Sequence, residues 1–146
     1  MQLIDPFPIY SPLNDDTQGQ ILASISAGFP SPADDYLEEK LNLHQYLIKH
    51  PSATFFVRVK GDSMIGAGIF SGDLLIVDRS LLPQNRQIIV AVVNNEFTIK
   101  RLLIEKDHCM LLPENPLYQS IKVSDESFSV WGVVIYNIHS LIRIKN

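Results

Sequence analysis

The sequence predicts a mostly β protein: an antiparallel β body, preceded by one short helix and an extended N-terminal arm. Three observations carry that prediction. After Pro51 the chain breaks into short runs rich in Val, Ile, Leu and Phe, separated by turn residues. Asn94-Asn95 stands between two such runs, and Asn tolerates the positive φ that a tight hairpin demands. Before them, Pro6, Pro8 and Pro12 interrupt any helical period.

Taken in order, residues 1–30 read as an arm. Its prolines are followed by polar residues from Asn14 to Gln20 and a short apolar stretch from Ile21 to Phe29, which needs a surface to dock on. Ser31-Pro32-Ala33-Asp34 then has the chemistry of a helix start, with Ser as cap, Pro at the first position and acids in the first turn. Tyr36, Leu37, Leu41, His44, Leu47 and Ile48 recur at helical spacing, so one amphipathic helix is expected up to Pro51. Strands are expected over 54–59, 73–78, 87–93, 96–104, 109–112 and 128–138. The division this implies is an arm over 1–30 and a β domain over 31–146.

Composition narrows the function. The 146 residues, 46% hydrophobic and 19% charged, suit one folded domain with an appendage. A net charge of -4 argues against a surface that holds DNA by phosphate neutralisation, which needs clustered Lys and Arg. Seven acids and no Lys or Arg precede Lys40, so the arm is chemically distinct. One cysteine, Cys109, excludes an internal disulfide and a thiolate metal site, and is expected to be a buried apolar residue in a reducing, cytoplasmic setting. The longest apolar run, Ile88 to Val93, is far shorter than the about 20 residues that span a bilayer, so no membrane is expected. His44, His50, His108 and His139 have no ligand spacing, and no metal or cofactor is expected.

Two residues carry candidate chemistry. Ser63, in Gly61-Asp62-Ser63-Met64, follows an expected strand, where a sharp turn can expose a hydroxyl and leave backbone N–H groups facing a developing oxyanion. Alone, the tetrapeptide is a weak signal, and an ordinary Gly-Asp-Ser turn between strands is the commoner reading. Lys100 lies in Phe97-Thr98-Ile99-Lys100-Arg101-Leu102-Leu103, where alternation puts Thr98, Lys100 and Leu102 on one face. Pointing outward, it is a solvated lysine. Pointing inward, it loses its proton more readily and can serve as a base to a serine.

The sequence resembles the UmuD proteins, the mutagenesis branch of the LexA/UmuD family of Ser-Lys self-cleaving proteases, peptidase S24. The resemblance lies in Gly28-Phe29-Pro30-Ser31-Pro32-Ala33, His50-Pro51-Ser52-Ala53-Thr54, Gly61-Asp62-Ser63-Met64, Gly72-Asp73-Leu74-Leu75-Ile76-Val77-Asp78, Glu96-Phe97-Thr98-Ile99-Lys100 and Trp131-Gly132-Val133-Val134-Ile135. It implies the β body shared with signal peptidases, Ser63 as nucleophile, Lys100 as general base, and the N–H groups of Asp62 and Ser63 as the oxyanion hole. It also implies that the bond cut is Ala27-Gly28 in the chain's own arm. The partners implied are a second copy in a homodimer, the RecA filament on single-stranded DNA that stimulates cleavage during the SOS response to DNA damage, and the UmuC polymerase. With UmuC the trimmed dimer forms the translesion enzyme DNA polymerase V. The 27 residues before the bond, with three prolines and no base, cannot supply the DNA-binding domain of a LexA-type repressor, so no direct sequence-specific DNA binding is expected.

Three other readings fit parts of the pattern. A type I signal peptidase shares the serine and lysine chemistry but works from a membrane anchor. A phage-type repressor remnant lacks its DNA-binding domain. A polymerase accessory module that keeps Ser63 and Lys100 without catalysis would bind partners and leave its arm intact.

Overall fold

The structure, a computed structural model, describes residues 2–8, 18–22, 27–28, 37–124 and 127–142. It has ten strands among these residues: β1 (Gln2–Pro8), β2 (Gln18–Leu22), β3 (Leu37–Asn42), β4 (Thr54–Lys60), β5 (Leu74–Asp78), β6 (Ile88–Val93), β7 (Glu96–Ile104), β8 (Cys109–Leu112), β9 (Ile121–Val123) and β10 (Phe128–Ile138). One helix, α1 (Leu43–Leu47), joins them. The chain divides into two units, Met1–Ile9 with Ser52–Asn146, and Tyr10–Pro51.

In the first unit an antiparallel sheet runs in the order β1-β4-β5-β10-β6-β7-β8-β9. The six expected strands are all present, displaced by at most one residue at either end. Asn94 and Asn95 take φ of 50° and 64° and close the β6–β7 hairpin, as their chemistry predicts. Both faces of the sheet are apolar. Val57, Val59, Met64, Leu75, Val77, Val90 and Ile99 form one core, and Ile89, Ala91, Leu102, Leu111, Val123 and Val133 form the other. Alternation along β6 sends Val90 to the first and its neighbours Ile89 and Ala91 to the second. At the end of the first core Trp131 meets Phe55 and Phe97, with ring centroids 5.3 and 5.8 Å away.

Within the expected arm, residues 2–8 are extended as β1, which pairs with β4 at the sheet edge; its register shifts between Ile4 and Phe7, where Pro6 lies. An edge and a bulge are the two places where a strand tolerates a residue without an N–H. The expected helix needs correction: among the described residues of the second unit, it is present only as α1. Residues 37–42 are β3, paired with β2, and the helix is only the five residues of α1, capped by Asn42 Oδ1 accepting from the Gln45 N–H at 3.0 Å. The expected cap at Ser31 lies outside the described residues. Cys109, expected to be buried, is half-buried on β8.

Candidate active site

The β4–β5 connection, residues 61–73, carries Ser63. Gly61 and Gly72, with φ of 96° and 94°, turn the chain out of β4 and back into β5, conformations that residues with a Cβ rarely adopt. Between them Ile65–Ala67 form a 3₁₀ turn. Ser71 Oγ ties the two ends by accepting from the Gly61 N–H at 3.2 Å.

The far side of this loop is fixed by buried Asp73. Its Oδ2 accepts from the Phe70 N–H and from Asn137 Nδ2, both at 2.8 Å, and its Oδ1 lies 2.6 Å from His139 Nδ1. The near side is gripped by the segment after β8. The Glu114 N–H donates to the Ser63 carbonyl at 2.8 Å, and the Gly66 N–H donates to the Glu114 carbonyl at 2.7 Å. Arg101, on β7, pairs through Nε with the Glu114 carboxylate. Tyr118 donates its hydroxyl proton to Asp62 Oδ1.

Lys100 reaches this loop from the middle of β7. Its cross-strand partner is Ile89, so it points to the face on which the second core lies. Lys100 and Ser63 are 4% and 1% exposed, and Nζ lies 3.2 Å from Ser63 Oγ. Nζ also donates to Thr98 Oγ1 at 2.7 Å and to the Ile99 carbonyl at 3.0 Å. Burial pushes the Lys100 ammonium down to about 8. An ammonium can donate to all three partners; as a neutral amine, Nζ keeps two N–H bonds to Thr98 and Ile99 and can turn its lone pair to the Ser63 hydroxyl. A cleft of about 370 Å³ opens beside Lys100, lined among others by Asn94, Phe97, Thr98, Tyr118 and Ile121.

The structure therefore brings together Ser63 and Lys100, residues 37 positions apart in the chain. Asp62, beside Ser63 in the chain, is exposed. Ala27 and Gly28 are exposed at a bend in the second unit. Sequence reasoning missed Thr98, Glu114, Asn115 and Tyr118 as parts of the site. Thr98 was legible as a neighbour of Lys100 on the same face; the other three act across more than 50 residues of chain, and nothing local in Pro113-Glu114-Asn115-Pro116 announces them.

Comparison with known proteins gives the family. Residues 20–135 match the family described as Peptidase S24-like. The chain is 52% identical to Protein MucA of Salmonella typhimurium over 84% of its own length and 82% of that protein's. It is 49% identical to Protein SamA of Salmonella typhimurium over 77% and 79% of the two chains. Protein ImpA of Salmonella typhimurium is 42% identical over 82% and 81%. The match spans the loop that carries Ser63 and the strand that carries Lys100, and the chain belongs to the peptidase S24-like family.

Proposed function

We propose that the protein is a self-cleaving serine endopeptidase that cuts its own Ala27-Gly28 bond, with Ser63 as nucleophile and Lys100 as general base. The observation that carries this reading is the 3.2 Å contact between Lys100 Nζ and Ser63 Oγ, made by a lysine whose burial lowers its proton affinity. At pH 7 about a tenth of the molecules then hold Lys100 neutral, a far larger share than an exposed lysine offers.

The chemistry follows in two steps. Ser63 Oγ gives its proton to Lys100 Nζ and attacks the carbonyl carbon of Ala27. The N–H groups of Asp62 and Ser63 receive the oxyanion; neither donates a hydrogen bond among the described residues. The carbon–nitrogen bond breaks, Lys100 returns the proton to the departing amine of Gly28, and Ala27 remains as an ester on Ser63. Water, deprotonated by Lys100, then releases residues 1–27. Thr98 and the Ile99 carbonyl hold Nζ so that its lone pair, or the proton it has taken up, faces Ser63.

The arm over 1–30 is the substrate and the domain over 31–146 the enzyme in this reading. The family resemblance supports the setting: a cytoplasmic homodimer, stimulated by the RecA filament on single-stranded DNA, whose trimmed form works with the UmuC polymerase in SOS mutagenesis. A partner that stabilises the docked arm accelerates the reaction without adding a catalytic group. The test is intact mass after incubation with RecA, single-stranded DNA and ATP. A product beginning at Gly28 in the wild type, absent from Ser63→Ala and Lys100→Ala, is expected. Intact wild-type protein that still binds the polymerase would favour the non-catalytic accessory module.

A further inference from the structure

We infer that Asn115 is a positioning residue for the oxyanion hole, holding the peptide unit between Asp62 and Ser63 in the one orientation that aims the Ser63 N–H at the reacting carbonyl. The inference rests on the reading of Ser63 as nucleophile and adds to it a residue of the opposite segment.

A peptide unit is planar and trans, so its C=O and N–H point in opposite directions. Fixing one fixes the other. Asn115 Nδ2 donates to the Asp62 carbonyl at 2.9 Å, and the N–H on the other side of that plane is the one that belongs to Ser63. The Ile65 N–H also approaches the Asp62 carbonyl, but at 3.5 Å, too long to hold the peptide by itself.

Asn115 is itself immobilised. It is 6% exposed, and its Oδ1 accepts from the Leu117 N–H at 3.0 Å, which settles which end of the amide is the donor. Its backbone neighbour Glu114 is pinned to the same loop at both ends, accepting from Gly66 and donating to Ser63. A Cβ at Gly66 would stand 2.6 Å from the Glu114 carbonyl oxygen, so the segment and the loop pack with no room between them. Asn115 thus serves a loop 53 residues away from a fixed support, as an oxyanion donor requires: the N–H must be aimed before the charge develops.

The test uses the full chain with Asn115→Asp and Asn115→Ala, following self-cleavage at alkaline pH by intact mass across a pH series. The aspartate keeps an oxygen for the Leu117 N–H but offers the Asp62 carbonyl no donor when ionised. The alanine leaves that carbonyl to Ile65 and solvent, and serves if the aspartate variant does not fold; circular dichroism and melting establish the fold of each. The rate is expected to fall about 100-fold or more in both, the scale of losing one oxyanion donor, while in Asn115→Ala, which adds no charge, the pH midpoint set by Lys100 stays at its wild-type value. A folded variant cleaving within about threefold of wild type, on the same scale, would overturn the inference alone. So would a lower rate with a displaced midpoint in Asn115→Ala, because a loosened loop that wets Lys100 is a structural effect. Wild type as inert as Ser63→Ala and Lys100→Ala would remove the self-cleavage reading and this inference together.

Discussion

Lys100 is costly to the fold and useful to the chemistry for the same reason. Its ammonium is held near a pKa of about 8 in the folded protein against 10.5 when exposed, so below pH 8 the fold carries a charge it disfavours. At about 1.36 kcal/mol per unit this costs about 3 kcal/mol, a penalty that fades as pH rises from 8 toward 10.5, where the lysine is neutral in both states. Lys100→Met is therefore expected to be more stable than wild type at pH 7, by up to about 3 kcal/mol, with the gap closing toward pH 10.5 in urea titrations. A gap independent of pH would mean that the lysine is not strained by burial. Thr98→Val removes an acceptor that favours the charged amine, so the pH midpoint of self-cleavage is expected to move down and the plateau rate to fall. The alternation around Thr98 and Lys100 was readable in the sequence; that their face is buried was not, because burial depends on the second core packed there.

At the scale of elements, strands in the body were legible because alternation and turn chemistry agree there. Glu96–Ile104 and Phe128–Ile138 have the bounds their sequence predicts, and Asn94-Asn95 makes the turn its side chains allow. Where local pattern and long-range pairing conflict, pairing wins. Leu37 and Leu41 fit a helical stripe, yet residues 37–42 lie against Gln18–Leu22 as a strand, a contact no local window contains. Ile121–Val123 was passed over as only three residues, with Lys122 at its centre, at the edge of the sheet. Two substitutions follow from particular elements. Asn95→Gly, at a φ of 64°, is expected to raise stability by about 0.5 kcal/mol with the urea m-value unchanged, since glycine is the favoured second residue of such a turn. Gly66→Ala is expected to destabilise by about 1–3 kcal/mol and slow self-cleavage, because its Cβ must displace the Glu114 carbonyl that supports the Ser63 loop.

For the whole molecule, the position of β1 gives the proposed cut a structural consequence. Residues 1–27 include the strand that covers one edge of β4, so release of that fragment uncovers the edge. A single seven-residue strand is a weak hold once its covalent tether is gone. Amides along Thr54–Lys60 are accordingly expected to exchange faster with solvent in the trimmed protein than in the intact one, while those of β6 and β7 are unchanged. Equal protection before and after cleavage would mean that the fragment stays in place. The measurement to make is the rate at which the 28–146 product forms, followed by intact mass from about pH 6 to 11 with no partner present. A sigmoidal rise with its midpoint near 8 in the wild type, and no product from Ser63→Ala or Lys100→Ala, is the expected result. Folded wild-type protein that stays whole across the range, or product that still forms without Lys100, would contradict a Ser63–Lys100 dyad.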